Sequence, residues 1–281
     1  MPSSTQAALQ RVDASDIERL KRAIIEDGAV LIENFTTPEI VDQVNAETRP
    51  YLDSDKPWRG AIFPPETRRC TRLVARSKAV RENWLVSPVV DQLTEYFLAK
   101  TTSNYYGAEK HTYTTHPIVN ISVTIETRPG SAAQRLHRDD KNHHVDHRDQ
   151  TKTGYRVGSD ISMAFLIPGV ETTIENGATQ VRIPDPDLSE EANVIFQVLP
   201  GSHLWGLERW PQAENLAYAT MKKGEAYCML GGTYHAGGAN TTAEQTRPMH
   251  GLFFCQGILR GEVGFARCMG HVSLRRRSWG R

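Results

Sequence analysis

Two rhythms of apolar and polar positions follow one another along this chain. In "SDIERLKRAIIEDGAVLIENF" (15–35), Ile17, Leu20 and Ile24 recur at helical spacing. Ser15 with Glu18 three residues later predicts a capping box at the start of that helix. Asp27-Gly28 is a stop signal, and "AVLIENF" then reads as a strand. "TTPEIVDQVNAETRPYL" (36–52) predicts a second helix, with Thr37 ahead of Pro38 at the first helical position. Residues 52 to 70, rich in Pro, Arg and Gly, predict a loop. "SKAVRENWLVSPVVDQLTEYFLAK" (77–100) predicts two helical stretches interrupted at Pro88.

From about residue 110 the period falls to two. In "IVNISVTIET" (118–127), Ile121, Val123 and Ile125 take one face, and Asn120, Ser122, Thr124 and Glu126 take the other. The polar side of such a strand faces water or a polar cavity. "ISMAFLIPGV", "EAYCMLGG" and "MHGLFFCQGIL" are further strand candidates between Gly, Pro and Asn punctuation. Helices first and many short strands later predict an α+β chain with a β-sandwich or jelly-roll core. One domain over 1–281 is expected: a helical part at about 15–105, a core at about 110–260 and a tail at 261–281. The polar stretches 141–160 and 182–194 read as surface loops.

Composition narrows the function. Lys and Arg number 33 against 33 Asp and Glu, so no basic field points to nucleic acid. The cysteines Cys70, Cys228, Cys255 and Cys268 lie far apart without CxxC spacing, which predicts buried free thiols in a reducing compartment. The first residues lack an apolar signal run, and no stretch approaches the roughly 18 apolar residues of a membrane span. A soluble cytoplasmic protein is the expectation.

Candidate chemistry begins at "QRLHRDD" (134–140). In extended backbone, His137 and Asp139 point the same way, so an imidazole and a carboxylate can share one metal ion. A chain with 10 histidines shows H-x-D by chance, and a charged turn is the ordinary reading. A later histidine must complete the set. His235, in "GGTYHAGGANTT", lies between glycine pairs at the end of a strand candidate, where backbone or ligand can approach closely. Two histidines and one carboxylate around open positions describe a non-haem Fe(II) oxygenase site. Arg247, at the start of the next strand, can enter the same space as a carboxylate fork or lie exposed.

"QRLHRDD", "ENGATQV", "PGSHLW", "GEAYCMLGGTYHAGGANTT" and Arg247 with "GLFFCQGILR" together resemble the phytanoyl-CoA dioxygenase-like Fe(II)/2-oxoglutarate oxygenases. They look most like the fungal members that tailor terpenoids, meroterpenoids and alkaloids. "IIEDGAVLIENF" fits as well, and the resemblance runs from about residue 17 to about 260. It implies a double-stranded β-helix core with the N-terminal helices packed outside. It implies Fe(II) held by His137, Asp139 and His235, with 2-oxoglutarate and O2 as cosubstrates. Arg247 matches the partner of the distal carboxylate of 2-oxoglutarate, and Thr179 a further contact to it. Gln134 matches a residue facing cosubstrate or substrate. Arg72 falls in a segment that often lines the substrate pocket. Arg138 and Asp140 take no catalytic role; they sit behind the ligands or at the surface, as ordinary turn residues. His143, His144 and His147 are read as solvated, with one of the first two able to shape the pocket mouth. Tyr234 can touch substrate or merely pack.

The resemblance implies an oxygenase that oxidises a small molecule by hydrogen abstraction and turns 2-oxoglutarate into succinate, in a homodimer. Two departures keep other readings open. "RIPDPDLSEEANVIFQVL" separates "ENGAT" from "PGSH", where relatives pass within a few residues. The tail "VGFARCMGHVSLRRRSWGR" lacks a helical apolar stripe where relatives carry a supporting helix. A non-catalytic binding subunit is one alternative. A metal-dependent isomerase on the same fold, without 2-oxoglutarate, is another.

Overall fold

The computed structural model describes residues 8–57, 64–173, 197–211 and 216–259. Strand β1 (Arg11–Asp13) leads into helix α1 (Ile17–Asp27). Asp16, not Ser15, caps α1: its carboxylate accepts from the Arg19 N–H at 3.1 Å. Ser15 instead turns back, its hydroxyl donating to Asp13. The charged Asp16 side chain takes the cap because Asp13 already holds Ser15. α1 ends at Gly28, whose φ of 76° suits the left-handed cap and whose N–H donates to Ile24 O. A Cβ there would lie 2.5 Å from His203, so only glycine fits.

Strand β2 (Ala29–Glu33) follows, then α2 (Pro38–Ser54), capped by Thr37 as its sequence predicts. The expected loop over 52–70 is only partly a loop. α2 continues to Ser54, and Arg68–Thr71 forms strand β3 against a longer partner. A short helix α3 (Leu73–Arg76), a π-helical turn (Val80–Trp84) and α4 (Pro88–Leu98) come next, with the interruption at Pro88 as predicted. Strands begin earlier than expected, at β4 (Lys100–Tyr106), which pairs with β5 (Glu109–Thr115) as an exposed hairpin. The core strands are β6 (Ile118–Thr127), β7 (Ser162–Pro168), β8 (Gln197–Val198), β9 (Ala217–Tyr218), β10 (Ala226–Leu230), β11 (His235–Ala236) and β12 (Arg247–Cys255).

The main sheet has the order β1-β2-β10-β7-β12-β6-β3, and β11-β8-β9 form a second, small sheet. The N-terminal β2 is thus part of the main sheet, because its continuous apolar run suits burial on both faces. β7 shows how the layers divide. Met163, Phe165 and Ile167 pack with Leu20, Val41, Leu93 and Phe97 of the helices. Ala164 and Leu166 pack on the other side with Val198 and Ala217 of the small sheet. Fully buried side chains such as Leu93 and Phe97 each contribute about 1.5–3 kcal/mol. The α+β class and jelly-roll core with helices outside stand as expected.

The two faces of β6 are the reverse of the simplest expectation. Its apolar residues Ile121, Val123 and Ile125 line a cavity. Of its polar residues, Asn120 and Ser122 also reach the cavity edge, while Ser122, Thr124 and Glu126 find partners on the other side. Ser122 accepts from Val74 N–H, Thr124 bonds His250, and Glu126 pairs with Arg49 and Arg128. A buried polar face survives because each group has a partner.

Candidate metal centre and cavity

Backbone pairing brings the ligand candidates together. His137 and His235 exchange main-chain hydrogen bonds, His137 N to His235 O at 2.9 Å and the reverse at 3.0 Å. The Asp139 N–H donates to Gly231 O at 3.0 Å, which lays "HRD" along the end of β10. The glycines at 231 and 232 permit this approach. A Cβ on Gly231 would sit 2.0 Å from Ser162 Oγ, and one on Gly232 2.8 Å from Asp160. Ligand candidates 96 and 98 positions apart in sequence therefore meet through ordinary strand geometry.

The side chains converge as well. One donor atom from each of His137, Asp139 and His235 lies within 4.8 Å of the others. Each Nε2 is 3.5 Å from a different Asp139 oxygen. Each Nδ1 donates to a carbonyl, of Arg135 at 2.8 Å for His137 and of Thr233 at 3.0 Å for His235. Those bonds fix the tautomers and leave both Nε2 lone pairs facing the shared point. Asp139 Oδ2 is buried without a hydrogen-bond donor. An orphan carboxylate oxygen between two aimed imidazoles is what a divalent ion would satisfy.

Charge states agree. Desolvation alone would push the Asp139 carboxyl up, but His235 and His137 outweigh it and hold it at about 2. Desolvation, helped by His137 and opposed by Asp139, brings His235 down to about 4. At neutral pH the site thus presents a carboxylate and, at His235, a neutral imidazole, the forms that bind metal.

Arg138 and Asp140 are not ordinary turn residues. Arg138 is 5% exposed and Asp140 1%. The Arg138 guanidinium donates to Ser202 O at 2.9 Å and Trp205 O at 2.8 Å, and lies 4.3 Å over the Tyr234 ring. Asp140 pairs with His147 at 3.1 Å and stands near the buried Asp160. Burial, then the charge of Asp140, pushes the Asp160 carboxyl up to about 6, although it accepts from Gly232 N–H. His147 is therefore not a solvated loop residue, while His144 is exposed. His143 bonds Asn120 at 3.2 Å and lines the cavity. Tyr234 packs under Arg138 and beside Trp205. The alternation around H-x-D carried the missed signal: residues 138 and 140 point to the opposite side, and that side is interior.

The cavity has a volume of about 730 Å³ and includes all three ligand candidates. Met163, Leu166, Met249 and Phe253 give it apolar walls. Arg247, first residue of β12, is 4% exposed, lines the cavity and donates to Thr127 Oγ1 at 3.0 Å. Its burial lowers its pKa to about 10, so it stays a cation. Gln134 lines the cavity too, but its Oε1 accepts from Gly237 N–H at 2.9 Å, leaving the amide NH2 as the group it can offer. Arg72 lines the cavity from the β3–α3 junction, at a φ of 57°. Thr179, the 182–194 insertion, Cys268 and the tail lie outside the described residues. Cys70, Cys228 and Cys255 are free and buried, as expected.

The model of the phytanoyl-CoA dioxygenase (PhyH) family matches residues 24–185 and 187–249. The chain belongs to that family. This PhyH member is 29% identical over 257 residues to the dioxygenase himG of Aspergillus japonicus, covering 91% of this chain and 74% of that protein. It is 30% identical over 239 residues to the dioxygenase swnH1 of Metarhizium robertsii, covering 84% and 71%. Its fold is similar to that of HygX from Streptomyces hygroscopicus, solved with nickel and 2-oxoglutarate bound. The TM-score is 0.59 at 13% identity, over 86% of this chain and 88% of that one. The relatives place this PhyH chain among the fungal dioxygenases, as the motifs implied. Among the described residues, no helix is long and apolar enough to cross a membrane.

Proposed function

We propose that this chain is an Fe(II)/2-oxoglutarate-dependent dioxygenase that oxidises a small secondary metabolite of terpenoid or alkaloid type. The carrying observation is the convergence of His137 Nε2, Asp139 and His235 Nε2 in a cavity that also holds Arg247. In this reading those three residues hold Fe(II). Bound there, Fe(II) would supply, with 2-oxoglutarate and O2, the chemistry that couples decarboxylation to succinate and CO2 with hydrogen abstraction from the substrate. The binding of nickel and 2-oxoglutarate by HygX on a similar fold supports the choice of cosubstrate.

The chain's own groups do the rest. Arg247 holds the distal carboxylate of 2-oxoglutarate, aided by Thr127 Oγ1, which fixes the guanidinium. Gln134 offers its amide NH2 to cosubstrate or substrate, and Arg72 contacts the substrate from the other side of the cavity. Thr179 is proposed as a further 2-oxoglutarate contact. The apolar walls orient the substrate and exclude water. The free buried thiols support a reducing compartment, and the exposed β4–β5 hairpin offers a surface for a homodimer.

Anaerobic titration with Fe(II) and then 2-oxoglutarate tests the reading. The weak visible charge-transfer band of the chelate is expected to appear only when both are present. Absence of Fe(II) binding by protein with intact ligands would remove the proposal. Arg247 also separates this reading from a 2-oxoglutarate-free isomerase, because only the oxygenase needs a buried cation for the keto acid.

A further inference from the structure

Among the described residues, cations outnumber carboxylates around the cavity, and the excess has a place in the fold. Suppose, as the oxygenase reading requires, that Fe(II), the 2-oxoglutarate dianion, Asp139 and Arg247 occupy the centre. Their charges cancel. Among the described residues, Asp139 is the one carboxylate lining the cavity, yet Arg69, Arg72, Arg81 and Lys141 line it too. Arg69 is neutralised by Asp55, with Nε to Oδ2 at 3.2 Å. Arg81 Nη1 donates to the carbonyls of Val74, Ala75 and Ser77, neutral partners that hold the guanidinium and leave its charge. Lys141 Nζ donates to another carbonyl, that of Arg138. The Arg72 side chain makes no hydrogen bond or ion pair among the described residues.

These cations gather at one end of β6. Val74 N–H donates to Ser122 Oγ, which fixes α3 and so Arg72 and Arg81 beside Ser122. The Asn120–His143 bond fixes the turn that carries Lys141 at the same end of the strand. Arg247 pairs with Thr127 at the other end. At about 3.3 Å per residue, Ser122 and Thr127 stand roughly 16 Å apart. The cationic end is therefore separate from the place of the 2-oxoglutarate carboxylate, with the apolar walls between.

Arg72 also adopts an uncommon backbone. Its φ of 57° and ψ of 43° lie in the left-handed region, which a non-glycine residue adopts only at a cost. The strained residue is thus one with an unpartnered cation at a cavity.

We propose that the substrate is an apolar molecule carrying an anionic group, held by Arg72 with Lys141 and Arg81 at the Ser122 end of the cavity. This inference deepens the oxygenase reading and rests on it. An anion there meets the exposed Arg72 and Arg81, which no carboxylate among the described residues pairs, while its apolar body lies along Ile121, Val123, Met249 and Phe253.

Equilibrium dialysis tests it on the full chain, held anaerobically with Fe(II) and saturating 2-oxoglutarate so that Arg247 is occupied. The probes are decanoate, decyl phosphate, 1-decanol and decylamine. Decanoate or decyl phosphate should bind about tenfold or more tightly than decanol, and decylamine more weakly still. Whichever anion binds better identifies the head group. Arg72→Asn, chosen because Asn tolerates the left-handed region, should bring anion and alcohol to within about threefold. Lys141→Gln should narrow the preference by a smaller factor. Equal binding of decanol and the anions overturns the inference, as does an anion preference that survives both substitutions. Anion binding that disappears when 2-oxoglutarate is added also overturns it, because the site would then be Arg247. Failure of the oxygenase reading looks different: the visible band with Fe(II) and 2-oxoglutarate is missing.

Discussion

The Arg138 guanidinium lies 4.3 Å from the centre of the Tyr234 ring, and both residues are chain neighbours of the proposed iron ligands. Arg138 sits between His137 and Asp139, and Tyr234 precedes His235. The pair fastens the two ligand-bearing segments from behind, while His137 and His235 join them by backbone bonds in front. Arg138→Met keeps much of the packing but loses the bonds to Ser202 and Trp205. Its Fe(II) dissociation constant is expected to rise about 10–100-fold in anaerobic titration. Leu93→Ala, a cavity mutation under α4, should lower the melting temperature without that loss of affinity. Equal Fe(II) affinity in wild type and Arg138→Met would falsify the positioning role.

Asp139→Ala should abolish measurable Fe(II) binding, since two imidazoles without the carboxylate leave the ion with neutral ligands alone. The His235→Ala variant should behave alike. Both are read from the absence of the Fe(II)–2-oxoglutarate band, with circular dichroism to show that the sheet is retained.

Arg247→Ala should leave Fe(II) binding within about threefold and weaken 2-oxoglutarate by roughly 10–100-fold, the equivalent of a charged hydrogen bond at about 1.5–3 kcal/mol. Titration of the visible band against 2-oxoglutarate measures it. An unchanged half-saturation point would favour a metal enzyme that does not use the keto acid.

Asp160 gives a pH prediction with a definite sign. Burial and Asp140 raise its carboxyl from 3.8 to about 6 in the folded protein. The native state therefore binds the proton more tightly than the unfolded chain, and stability falls as pH rises from about 4 to about 6. The whole effect is on the order of 3 kcal/mol. Asp160→Asn removes this slope. Urea unfolding should show the variant gaining about 1–2 kcal/mol relative to wild type between pH 5 and pH 7.5. A constant difference between those two conditions would count against a raised carboxyl.

Much of the site was legible in the sequence because metal chemistry restricts residue types and because strand alternation makes i and i+2 neighbours. His137 and Asp139 fall under that rule, and β12 begins at Arg247 as its pattern predicts. The helix caps were less legible. Ser15 and Asp16 are both good N-caps, and the choice depended on Asp13, which the local pattern does not weigh.

The sequence by itself determined the periodicities, and with them α1, α2, α4, β6, β7, β10 and β12, together with the residue types of the candidate metal centre. Only the tertiary structure decided which face of each strand meets which layer. β6 turns its apolar side to the cavity because Arg49, His250 and the α3 backbone satisfy its polar side beneath the helices. Arg138 is interior for the same reason, because the carbonyls of Ser202 and Trp205 reach it from a distant part of the chain, and Asp140 beside it is partnered by His147 seven residues on. A polar residue is buried or exposed according to whether partners arrive, and partners from afar are a property of the fold, not of the local pattern.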